Sequence, residues 1–180
     1  MGPRLNLRNQ LAAVEVSAVD RHIPIVKSLA WKDEAATQLF ANRLAAQPAL
    51  NQAFIELHGE LGAGKTTLVR HLMCALGVTG RIKSPTYAVV ESYGLPGVNV
   101  SVWHFDFYRF NDPREWEDAG FRDIFASPGL KLVEWPEKAA QFIPTADLVI
   151  RIEVRVDETR WVTLTTQTIA GDALMAGFNA

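Results

Sequence analysis

Glycines at 59, 62 and 64, followed by Lys65 and two threonines, sit between a short apolar run, AFIEL (residues 53–57), and a stretch whose apolar residues recur at helical spacing. Residues 59–66, GELGAGKT, fill every fixed position of G-x-x-x-x-G-K-[ST]. From Thr66 onward, Leu68, Val69, Leu72, Met73 and Leu76 make one amphipathic stripe, and Gly77 suits the position just past a helix C-terminus. Strand, glycine loop and helix therefore follow one another, a unit that belongs in a layered α/β fold.

The rest of the chain alternates in the same way. Residues 33–46 read as a helix with Asp33 as N-cap and Ala36, Leu39, Phe40 and Leu44 on one face, ended by Pro48. Residues 87–93 and 98–107 read as extended runs joined by Gly94-Leu95-Pro96-Gly97, and residues 113–120 as a short helix opened by Asn111 or Asp112. Residues 130–134 form a brief apolar strand stopped at Pro136, and residues 148–156 and 161–165 alternate as two antiparallel strands. The expected architecture is a three-layer, P-loop NTPase-like α/β sandwich whose central sheet is mostly parallel with some antiparallel strands. The expected division is an N-terminal extension (1–24), a P-loop domain (25–168) and a C-terminal tail (169–180).

The loop's residue types fit one chemistry. Gly59, Gly62 and Gly64 permit positive φ and close backbone approach, so that successive N–H groups, including those of Ala63 and Lys65, can surround phosphate oxygens. Thr66 and Thr67 open the following helix, whose N-terminus carries roughly half an elementary positive charge. Lys65 is expected on the β- and γ-phosphates of a nucleoside triphosphate, and the Thr66 hydroxyl on Mg²⁺. Such a site also needs a carboxylate at a neighbouring strand end. Asp106 closes the run 98–105 and Glu134 closes the run 130–133, both at the sheet edge where α/β proteins bind ligands. His104, two residues before Asp106, is either an orienting partner or a packed side chain. Ser84-Pro85-Thr86-Tyr87 has the position of a γ-phosphate-sensing switch, with Thr86 offering a hydroxyl; an ordinary turn is the plainer reading. Arg109 suits either neutralisation of phosphate charge or a structural salt bridge.

Composition narrows the class. With 18 Lys+Arg against 20 Asp+Glu, a net charge of −2, the chain lacks the basic excess of a protein that grips nucleic acid unaided, so any contact with RNA is expected only through a partner. No apolar run approaches the ~18 residues that span a bilayer, and the first residues lack a signal-peptide core. A cytoplasmic protein without membrane contact is expected. The single cysteine, Cys74, cannot form an internal disulfide and reads as a small apolar filler on the loop's helix.

The loop GELGAGKTT (59–67), SPTY (84–87), HFDFYR (104–109) and VEWPE (133–137), in this order and spacing, resemble the TsaE family, the P-loop ATPases of bacterial tRNA threonylcarbamoyladenosine synthesis. The resemblance covers roughly residues 25–164. It implies ATP as substrate and ADP as product, Lys65 on phosphate, Thr66 and Glu134 on Mg²⁺, Asp106 as the Walker B acid and Thr86 in a switch. Thr37 and Arg160 match further nucleotide contacts of the family. It also implies action through a complex with TsaB and TsaD subunits, with slow hydrolysis by the chain alone. A small-molecule kinase would share the loop but need a basic lid, for which Arg151 and Arg155 are the candidates, although they lie in a strand-like run. A nucleotide-gated binding module without useful hydrolysis is the other alternative. A GTPase lacks support, because no N-K-x-D run reads guanine.

Overall fold

The computed structural model describes residues 22–178, so most of the N-terminal extension lies outside the described residues. Strands β1 (Val26–Trp31), β2 (Phe54–His58), β3 (Val90–Gly94), β4 (Ser101–Asp106), β5 (Leu130–Glu134), β6 (Leu148–Val154) and β7 (Arg160–Thr166) form one sheet. Their spatial order is β1-β7-β6-β2-β5-β4-β3. At its centre β6, β2, β5 and β4 run parallel, while β7 is antiparallel to both β6 and β1, and β3 to β4.

Period-two alternation sends each strand's side chains to two different cores. Ile55 and Leu57 of β2, Val102 of β4 and Leu130 and Leu132 of β5 enter one cluster. There they meet α1 (Glu34–Ala45), α2 (Lys65–Ala75) and α5 (Ile169–Met175), through Phe40, Leu44, Leu68, Leu72 and Leu174. The intervening Phe54, Phe105 and Val133 enter a second, aromatic-rich cluster. It is covered by α3 (Pro113–Asp118) and α4 (Phe121–Ala126), through Trp116 and Phe121. Helices thus flank both faces of the sheet, and the three-layer α/β sandwich expected from the sequence is the fold.

Capping sets the helix starts. Asp33 caps α1 by accepting from the Ala36 amide at 2.8 Å, and Asp112, rather than Asn111, caps α3 through the Arg114 amide at 2.9 Å. Two side chains depart from their expected places. Leu39 is largely exposed because the buried stripe of α1 runs through Thr37, Phe40, Ala41 and Leu44, and a position beside Phe40 is rotated about 100° away from it. Cys74 lies on α2 but is exposed, so it fills no gap in the core.

Residues 169–178, expected as part of a tail, belong to the domain. Thr168 caps α5 by accepting from the Gly171 amide, and Leu174, Met175 and Phe178 are buried in the first core. Gly171 permits this docking, since a Cβ there would collide with the Asp147 carbonyl. Asp147 ties the same corner together: its carboxylate accepts from the Phe54 amide at 2.8 Å and from the Thr168 hydroxyl at 2.5 Å. Among the described residues no helix is long and apolar enough to cross a membrane.

Candidate functional site

The parallel centre of the sheet delivers three chain ends to one edge. β2 runs into the glycine loop, β4 ends in Asp106 and β5 ends in Glu134, with Asp106 and Glu134 paired in register. Gly59, Gly62 and Gly64 have φ of 146°, 81° and 110°. At Gly59 an added Cβ would lie 2.5 Å from the Ile152 carbonyl oxygen, so the loop can leave β2 only if this residue has no side chain.

A cavity of about 510 Å³ opens at this edge, lined among others by Gly62, Gly64, Lys65, Thr66, Thr67, Thr86, Asp106 and Glu134. Lys65 donates to the carbonyls of Gly59 (2.5 Å) and Glu60 (3.0 Å), and its ammonium lies 4.0 Å from the centre of the Trp135 ring. Burial pushes that ammonium below the ordinary lysine value, against the raising influence of the Glu134 and Asp106 carboxylates.

The two acids have different surroundings. Glu134 accepts the Thr66 hydroxyl through both its oxygens, at 2.8 and 2.9 Å, and the fully buried His104 donates Nε2–H to Oε1 at 2.9 Å. His104 is thus both packed and an orienting partner; its Nδ1 has no hydrogen-bond partner among the described residues. Asp106 accepts hydroxyls from Ser84 (2.5 Å) and Thr86 (2.6 Å) on Oδ2 and the Tyr108 amide (3.0 Å) on Oδ1. The 84–87 segment is therefore fastened to Asp106 and is no free turn. Thr66, Glu134 and Asp106 present only hard oxygen donors within one cavity, a set that suits Mg²⁺.

Thr37 and Arg160 lie apart from these residues. They line a smaller cavity of about 170 Å³ with Trp31, Asp33, Glu34, Ala63, Gly64 and Thr67. Because β7 is antiparallel to β6, its first residue, Arg160, arrives at the edge where β6 ends. Gly64 and Thr67 border both cavities, so the two lie on either side of the loop.

Several cavity residues carry no role from the loop motif. Trp135, next to Glu134, adopts a left-handed backbone (φ 57°), which places its ring beneath Lys65 and 5.0 Å from the Tyr108 ring. Leu61 and Ser84 also line the large cavity; Leu61 occupies a variable position of the motif, where no residue type signals a role. The kinase-lid candidates do not form a lid: Arg151 pairs with Thr163 inside the β6–β7 ladder, and Arg155 stacks on Trp161 at 5.4 Å.

A family model described as "Threonylcarbamoyl adenosine biosynthesis protein TsaE" matches residues 31–162. The TsaE protein of Haemophilus influenzae is 41% identical over 125 residues, which cover 69% of this chain and 77% of that protein. The TsaE protein of Bacillus subtilis is 34% identical over 142 residues, 78% of this chain and 87% of its own. Among solved structures, YdiB of Bacillus subtilis superposes with a TM-score of 0.66 at 25% identity, covering 85% of this chain and 93% of the other. The family match takes in the loop, both acids, Thr37 and Arg160, and the chain belongs to the TsaE family.

Proposed function

We propose that this chain is an Mg²⁺-dependent ATPase serving threonylcarbamoyladenosine formation on tRNA, and that it acts through a complex with TsaB and TsaD. The observation that carries the reading is the convergence of Lys65, Thr66, Asp106 and Glu134 in one cavity at the loop. The named role of the Haemophilus and Bacillus relatives in tRNA threonylcarbamoyladenosine biosynthesis supports the pathway.

In this reading the loop amides and the α2 N-terminus bind the phosphate chain. Lys65 leaves the Gly59 and Glu60 carbonyls for the β- and γ-oxygens. Thr66, Glu134 and Asp106 would hold Mg²⁺, and Thr86 senses the γ-phosphate from the segment fastened to Asp106. A divalent cation held there would supply positive charge against that developing on the transferring phosphoryl group. The smaller cavity, with Thr37 and Arg160, takes the nucleoside. ADP is the product. With a net charge of −2, the chain meets tRNA only through its partners.

The test is to mix the purified chain with TsaB and TsaD in the presence of ATP or ADP, measuring association and ATPase rate together. Association that depends on nucleotide, with a faster rate in the complex, is the expected result. Absence of association in both nucleotides would sink the partner assignment.

A further inference from the structure

Arg109 is a second cation at the large cavity, and it makes no salt bridge or side-chain hydrogen bond among the described residues. The structural salt bridge that its sequence position allowed is not formed. Its guanidinium instead lies 4.7 Å from the centre of the ring of Tyr87, a residue that is 86% exposed.

The local chain explains why Arg109 is presented in this way. Phe107 and Phe110 are both buried in the aromatic core and are linked by a 2.9 Å backbone hydrogen bond, so Tyr108 and Arg109 between them face outward at the cavity. Tyr87 belongs to the segment that Ser84 and Thr86 fasten to Asp106, and the Asp106 amide donates to the Val89 carbonyl at 2.9 Å. The two segments on either side of Asp106 are therefore joined at their bases by that carboxylate and at their tips by the Tyr87–Arg109 stack.

Charge balance indicates a use for the arginine. Lys65 and Arg109 are the cations lining the large cavity, against the carboxylates of Asp106 and Glu134. Without Arg109 the lining side chains sum to a negative charge, so Mg²⁺ and Lys65 would have to offset both the carboxylates and the more highly charged polyphosphate. A planar guanidinium with unused N–H groups suits the oxygens of a transferring phosphoryl group.

We propose that Arg109 is a catalytic residue that donates to the transferring phosphoryl group, and that Tyr87 is the positioning residue that holds its guanidinium at the cavity mouth. This rests on the ATPase reading above. The aromatic stack restricts a long, exposed side chain before nucleotide arrives, and a displacement of the Thr86 segment is passed directly to Arg109.

The experiment compares the full chain with Arg109→Ala, Arg109→Lys, Tyr87→Ala and Tyr87→Phe. ATP hydrolysis is followed under single turnover, so that slow rates are resolved, and ADP affinity is measured by calorimetry. Arg109→Ala is expected to lower the rate about 100-fold, as loss of a transition-state donor does, while ADP affinity changes by less than about threefold. Arg109→Lys, which keeps the charge without the planar fork, should recover only part of the rate. Tyr87→Ala should lower the rate about threefold, the worth of an exposed cation–π contact, and Tyr87→Phe should restore it. In the Arg109→Ala background, Tyr87→Ala should cost nothing further. A rate within twofold of wild type in Arg109→Ala, with ADP still bound, would overturn the proposal alone. Failure of the wild-type chain to bind ADP would instead overturn the nucleotide reading on which it rests.

Discussion

The Thr66 hydroxyl points at the middle of the Glu134 carboxylate, 2.8 Å from one oxygen and 2.9 Å from the other. One residue lies in the first turn of α2 and the other closes β5, so this contact joins the end of the glycine loop to the strand beside it. Its geometry is held from behind by His104, which is itself fully buried.

Breaking this contact from either side should impair the metal-dependent step more than nucleotide capture. Glu134→Ala and Thr66→Val are each expected to reduce Mg²⁺-dependent hydrolysis about 100-fold or more. ADP affinity measured without Mg²⁺ should change by less than about threefold. Paired rate and calorimetric measurements check this, and an equal loss in both quantities would contradict the division of roles.

Lys65 has the opposite profile. Its ammonium is the buried cation of the loop, and its carbonyl partners at Gly59 and Glu60 offer it no competing anion. Lys65→Ala should abolish measurable nucleotide binding, a loss of about 100-fold or more in affinity. Equal ATP affinity in wild type and variant would refute the phosphate-binding assignment.

The C-terminal helix should contribute to stability without touching chemistry. Leu174 is completely buried, and Leu174→Ala is expected to cost about 2–4 kcal/mol in chemical denaturation. Gly171→Ala, which puts a methyl group against the Asp147 carbonyl, should displace α5 and lower the unfolding midpoint comparably.

Lys131 makes the fold sensitive to alkaline pH. Burial lowers its folded-state value below the ordinary lysine value, an effect the Asp147 carboxylate only partly opposes. The unfolded chain therefore holds this proton more tightly, and the cost of burying the charge is present in full at neutral pH. It fades as the pH rises from the depressed folded value towards the unfolded value of about 10.4. Lys131→Met should raise the thermal midpoint at pH 7, and its advantage over wild type should shrink as the pH is raised through that window. A constant difference across the series would argue against burial as the cause.

The loop, its helix and the two acidic strand ends were legible in the sequence because each combines a short apolar run with residue types that have few other uses. Other elements left weaker traces. In β1, Lys27 and Ser28 break the apolar alternation, and the strand exists through its pairing with β7 from Val26↔Thr165 to Trp31↔Arg160. The helix α5 carries a glycine in its first turn, normally a mark against helix, and only the nearness of the Asp147 backbone shows its purpose. The meeting of Thr37 with Arg160 depends on the direction of β7, and the place of Trp135 beneath Lys65 depends on a left-handed backbone that no spacing rule predicts. Long-range placement of this kind is a property of topology.

The clasp formed by Asp147, Thr168 and α5 lies where β2 and β6 begin, while the loop and both acids lie where the parallel strands end. A five-residue strand separates these corners by about 17 Å. Damage at one should leave the other undisturbed, so the double variant should show the unfolding loss of Leu174→Ala and the hydrolysis loss of Glu134→Ala each at its single-variant size. The chain can thus accumulate changes that adjust its lifetime independently of its turnover.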